Sequence, residues 1–270
     1  MRLARGTAVM AVVLLVVMRV IWEPNWAQAG GACSSDALAQ IMPATASVEL
    51  LVARGPAIPA GRWPLYRGLA AATVACLRPG SHLAVRAIAP NSLASPPIFA
   101  KTLEVAMGGA NPLLPLVAQR QFVREALAAV DTLRGAHPED DGTYDALGAL
   151  AAAGGDFAMT APDAKRVVLM IFNGWLQSRS INIFSFAANP RRAAPAVIAR
   201  LRADDAMPDL HGSRVLIAGL TPGDLRMRID DTRLAELCGF WDLIVRAAKG
   251  QLTACGASLP GVAPRSSLPR

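Results

Sequence analysis

Few residues in this chain are placed to do chemistry. An acidic run, Glu139-Asp140-Asp141, with Asp145 close behind, is the densest set of oxygen ligands. It could hold a cation, or it could be a solvated loop whose charges favour the start of the next helix. Asp230-Asp231 offers two adjacent carboxylates, but two acids just ahead of a helical pattern read as its cap. His82 and His211 precede apolar runs that read as strands, which puts them at the end of a sheet opposite the face where ligands bind. His137 lies among the acids and reads as solvent-facing. A catalytic triad needs a nucleophile and an oriented base within reach, and no spacing here supplies one. There is no phosphate loop ending in Lys-Ser or Lys-Thr and no G-x-S-x-G elbow. Cys33, Cys76, Cys238 and Cys255 show no CxxC or Cys/His spacing for zinc. The chain is therefore expected not to be an enzyme, and to need no metal or cofactor.

The elements that would position these residues alternate. Ser47–Val52, Leu83–Ala89, Arg166–Phe172 and Arg214–Ala218 are apolar runs with the length of buried strands, and RVVLMIF at 166–172 is the strongest. Ile98–Val105 alternates and reads as an edge strand, Ile181–Phe186 as a strand or irregular apolar segment, and Leu252–Ala254 as a short last strand. Helical patterns cover Trp63–Leu77, Leu113–Leu133, Asp145–Ala153 with Thr143 as a cap, Ala193–Ala203, and Thr232–Lys249 with a break at Gly239. Trp63 and Trp241 fall inside helical patterns and are expected in the core. This order predicts an α/β fold: one domain with a mostly parallel central sheet and helices on both faces. In such a sheet ligands bind beyond the C-terminal strand ends, which singles out 53–57, 173–175 and Gly219–Asp224. Trp175, after Asn173-Gly174, either projects there as an interface anchor or packs over the loop and covers the core.

Four segments, in order, resemble the von Willebrand factor type A (vWA) domain. That family has Asp-x-Ser-x-Ser after its first strand, where this chain has Ala53-Arg54-Gly55-Pro56-Ala57. It has a threonine ahead of a helix, matched by Gly142-Thr143, and Ser-Asp-Gly after a later strand, where Phe172-Asn173-Gly174 stands. Phe240–Gly250 and Gln251–Ala254 look like its closing helix and strand. The resemblance implies a Rossmann-like fold and a metal-ion-dependent adhesion site. Only the threonine of that site is kept. Magnesium wants hard oxygens in octahedral array with one or two carboxylates. Ala53, Gly55 and Ala57 offer no side-chain oxygen, Asn173 a neutral carbonyl, and Thr143 a hydroxyl. A degenerate site that binds no metal is the expectation. Arg54, beside it, could receive an anionic group of a partner. The candidate partner-binding face is thus Ala53, Arg54, Gly55, Ala57, Thr143, Asn173 and Trp175.

The chain begins with Arg2 and Arg5, an apolar stretch at 8–18, and Ala27-Gln28-Ala29, which resembles a small-x-small cleavage site. A cleaved signal peptide and an uncleaved anchor with Trp22 and Trp26 at the interface both fit. Either predicts an extracytoplasmic protein, periplasmic or at the cell surface, with a membrane contact if the segment stays. The four cysteines allow two disulfides in one of three pairings, and that compartment favours at least one, the alternative for Cys76 being a buried apolar role. The organisation expected is 1–29 signal or anchor, 30–44 polar linker, 45–257 the vWA-like domain, and 258–270 a frayed tail. The 270 residues are 53% hydrophobic, which excludes disorder and allows a sizeable core. Of 27 basic residues only Lys101, Lys165 and Lys249 are lysines, and the arginines are scattered. Aromatics are 5%, so the runs and stacking platforms of a nucleic-acid surface are missing. The function expected is a non-enzymatic protein-interaction module of the cell envelope. The alternatives are a structural subunit of an export- or conjugation-type complex, and a hydrolase or binding protein of another α/β fold.

Overall fold

The computed structural model describes residues 33, 36–43, 45–55, 58, 61–104, 114–135, 143–175, 189–220 and 231–262. Outside them lie the signal or anchor segment, Ala57, the 139–141 acids, His137, Ile181–Phe186, Asp230 and the last eight residues of the tail.

The described elements are α1 (Asp36–Ile41), β1 (Ser47–Ala53), α2 (Trp63–Ala75), β2 (His82–Ile88), β3 (Phe99–Thr102), α3 (Leu114–Thr132), α4 (Ala146–Ala158), β4 (Arg166–Ile171), α5 (Pro190–Ala203), β5 (Arg214–Ala218), α6 (Asp231–Ala247) and β6 (Gln251–Cys255). They build one α/β domain around a six-stranded sheet of order β3-β2-β1-β4-β5-β6, parallel except for β3. Every residue of β1 is buried. Side chains alternate between faces along a strand, so both faces are covered. That is why the central strands are mostly apolar, with Glu49 in β1 and Arg86 in β2 as the interior exceptions. α2 packs on α3, α5 on α6, and α4 against β1 and β2.

Several boundaries differ from the sequence expectation for physical reasons. Within the polar stretch 33–45, α1 forms because Leu38 and Met42 find the core. Gly239 does not break α6. A β-carbon there would stand 2.9 Å from Arg191 Cδ, so the glycine lets α5 and α6 approach. Asp145, not Thr143, caps α4, its Oδ1 accepting the Gly148 N–H at 2.9 Å. Trp241 is fully buried, edge-on to Phe172 and Phe240, whereas Trp63 is only partly covered. Leu259 packs into the core, which holds the chain down as far as the start of the tail.

The four cysteines are paired. Cys33–Cys76 ties the N-terminal segment to the end of α2, and Cys238–Cys255 joins α6 to the edge strand β6. Cys76 is therefore a bridge as well as a buried residue. These are the disulfides of a chain that matures in an oxidising, extracytoplasmic compartment. Among the described residues, no helix is long and apolar enough to cross a membrane.

Candidate functional site

Strand order reverses between β1 and β4. β1 is followed outward by β2 on one side, while β4 leads to β5 and β6 on the other. The loops after β1 and β4 therefore flank the crevice where sheets of this type take ligands. Val52 is aligned with Ile171, so Ala53-Arg54 and Phe172-Asn173 leave the sheet side by side. Thr143 reaches the same end of the sheet, because the Asp145 N–H donates to Ala89 O just beyond β2, at 2.8 Å. Three of the sequence-selected segments are thus brought together. Ala57 lies outside the described residues.

Each residue has a defined place. Ala53 is fully buried and presents only a methyl group. Arg54 is half-buried. Gly55 adopts φ +51°, and its N–H donates to Leu133 O at 3.0 Å, pinning the loop to the end of α3. Thr143 is half-buried, directly before Tyr144.

Asn173 is the hub. Its Oδ1 accepts the Trp175 N–H at 3.0 Å and its Nδ2 donates to the Tyr144 hydroxyl at 2.9 Å. At 8% exposure this amide is enclosed, so it braces two loops and does not face incoming ligands. Burial of Tyr144 pushes its phenol pKa up, against the pull of Asn173. Tyr66, reaching in from α2, has its own phenol pushed further up, first by burial and then by Tyr144. Its hydroxyl points at Gly219 O, 3.5 Å away, at the end of β5. Tyr66 and Tyr144 are the only tyrosines in the chain, and both are enclosed at this end of the sheet.

Trp175 corrects the interface-anchor reading: it is 3% exposed and belongs to the core cluster. The cause is Gly174, whose φ of +86° turns the chain back over the sheet. A β-carbon at Gly174 would stand 2.4 Å from Leu220 Cδ2 and 2.6 Å from Leu237 Cδ2, and the Gly174 carbonyl accepts Trp241 Nε1–H at 2.8 Å. Among the described residues of the face, Arg54, Gly55 and Thr143 are the partly accessible ones.

The carboxylate placed at this end of the described sheet by α4 is Asp145. Its pKa is raised mainly by burial, although the backbone N–H groups of Gly148 and Leu147 oppose the rise. Its Oδ1 is engaged as the α4 cap. His82 and His211 stand at the opposite end, at the starts of β2 and β5. His82 Nδ1 is 3.2 Å from Thr102 Oγ1, and His211 Nδ1 is 3.7 Å from Asp209. Among the described residues, no three His, Cys, Asp or Glu side chains gather as a metal site would require.

One polar cluster has no counterpart in the sequence reading. Glu49 lies in the middle of β1, buried, with Arg86 of β2 and Asp156 of α4 beside it. The signal was present as one charge in each of two apolar runs, SVELLVA and HLAVRAI. Strand pairing was needed to bring them together.

No family model and no curated protein matches this chain. Among solved structures it is similar to the pilus adhesin SpaC from Lactobacillus rhamnosus GG in its open conformation, at 10% identity and a TM-score of 0.39. That match covers 80% of this chain, which spans 28% of the adhesin chain.

Proposed function

We propose that this chain is an exported, non-enzymatic, vWA-like protein-interaction module whose loop face works without a divalent cation. The observation that carries the reading is the commitment of Asn173. Where the vWA pattern has a ligating aspartate, a neutral amide is locked between the Tyr144 hydroxyl and the Trp175 N–H. Ala53 and Gly55 add no oxygen. A set with so little charge does not replace the hydration shell of a doubly charged ion. The two tyrosines and the amide then do the cation's mechanical work, holding the loop after β4, the segment ahead of α4 and the end of β5 in one arrangement. What remains for a partner is a polar, half-buried surface that includes Arg54, Gly55 and Thr143. The disulfides fit an extracytoplasmic setting, and His82 and His211, the histidines among the described residues, stand at the far end of the sheet from this face.

The test is a photoreactive residue introduced at 54, at 143, or at the exposed Lys165 on the opposite end, in cells making the full chain. Discrete adducts from 54 and 143, absent from 165 and unchanged by chelator, are expected. No adducts from the face, or adducts abolished by chelator, would contradict the reading.

A further inference from the structure

We propose that Glu49, Arg86 and Asp156 form a proton-controlled latch that fastens the C-terminal half of α4 to the sheet. The inference does not depend on whether the loop face binds a partner.

Arg86 holds three segments at once. Its Nε donates to Glu49 Oε2 at 3.2 Å, its Nη1 to Ser95 O at 2.8 Å, and its Nη2 to Asp156 Oδ2. The side chains of Arg86 and Glu49 are 7% and 1% exposed, while that of Asp156 is 45% exposed. One guanidinium thus serves two carboxyl groups, of which only Asp156 can exchange protein for water. With Glu49 protonated, Arg86 has Asp156 as its single counter-charge and α4 is held. With Glu49 ionised, the buried carboxylate cannot be left without the cation, because an uncompensated charge there is strongly unfavourable. Asp156 is then the group that gives way, and the end of α4 loosens.

The charged groups bearing on Glu49 are Arg86 from β2 and Asp156 from α4, and the β4 residue aligned with it is Val168. Burial first, and then the Asp156 charge, raise the Glu49 carboxyl pKa to about 8 against the pull of Arg86. A carboxyl whose pKa is raised in the fastened state favours that state below its ordinary pKa of about 4.5. The preference is lost as pH climbs through about 8, by at most about tenfold per pH unit. α4 begins immediately after Tyr144 and Asp145, so the latch at one end of the helix bears on the loop face at the other.

The experiment is amide hydrogen exchange on the full chain at pH 5.5 and pH 8.5, corrected for intrinsic rates. It follows residues 150–160 and 92–98, with β4 as the internal reference. Wild type is expected to open at least about tenfold more often at pH 8.5 in those two segments and not in β4. Glu49→Gln keeps an acceptor for Arg86 and cannot ionise, so its change should stay below about twofold. Should that variant not fold, Asp156→Asn serves: it leaves Arg86 to Glu49 alone, and the pH response should shrink in the same way. A wild-type response that is absent, or that either folded variant reproduces in full, overturns the latch.

Discussion

Tyr144→Phe isolates the contact that joins the loop after β4 to the segment ahead of α4. The substitution keeps the ring and removes the hydroxyl that accepts Asn173 Nδ2–H at 2.9 Å. Tyr144 is 5% exposed and Asn173 8%, so the abandoned N–H finds no bulk water. A buried donor left unpaired costs about 1–3 kcal/mol. In a domain of this size each kcal/mol lowers Tm by about 2–4 °C. Asn173→Ala should cost more, because it also strands the Trp175 N–H that Oδ1 now accepts at 3.0 Å. With the amide gone, the tyrosine hydroxyl has nothing left to accept. Adding Tyr144→Phe to Asn173→Ala should therefore cost under about 0.5 kcal/mol, giving a coupling of about 1–2 kcal/mol. Urea unfolding of the four proteins at pH 7, with unchanged denaturant slope, measures all three quantities. A Tyr144→Phe cost below about 0.5 kcal/mol together with an additive cycle would refute the idea that this pair braces the loops.

Two further substitutions probe what surrounds that pair. Gly174→Ala forces a β-carbon to within 2.4 Å of Leu220 at a φ of +86°, so it should destabilise by about 2–3 kcal/mol or more and release Trp175, seen as a red shift of tryptophan emission on thermal melting. Replacing both Cys238 and Cys255 by Ala removes a crosslink between positions 17 apart and should cost about 3 kcal/mol by chain entropy. Denaturant titration against the oxidised parent reads this directly, and an unchanged midpoint would mean that α6 and β6 are held without it.

The parts of the fold that were legible in the sequence are those whose cause is local. β1, β4 and β5 are buried on both faces, so they appear as predominantly apolar runs, interrupted inside β1 by Glu49 alone, and the loops after β1 and β4 follow from where the runs stop. Trp175 was not decidable. Its direction depends on the left-handed turn at Gly174 and on Leu220 and Leu237, far along the chain. Gly239 has a helix-breaking identity and a packing role, and only Arg191 of a neighbouring helix distinguishes them. The enclosure of Tyr66 and Tyr144 brings together a residue of α2 and one just ahead of α4, which no periodicity records. Glu49 and Arg86 become neighbours through a register in which Leu51, not Glu49, is aligned with Arg86. The cysteine count allowed three pairings, and only the three-dimensional proximity of α6 to β6 and of residue 33 to the end of α2 selects one.

Calorimetric titration of the full chain with magnesium, manganese and calcium tests the central claim most directly, with Tm read in metal and in chelator. A loop face braced by Asn173 and Tyr144 predicts no saturable heat at millimolar metal and an unchanged Tm. Saturable binding of one ion per chain, lost on Thr143→Ala or Asn173→Ala, would contradict it. Binding lost instead in Asp140→Ala plus Asp141→Ala would contradict it equally, and would place a rebuilt cation site in the acidic loop.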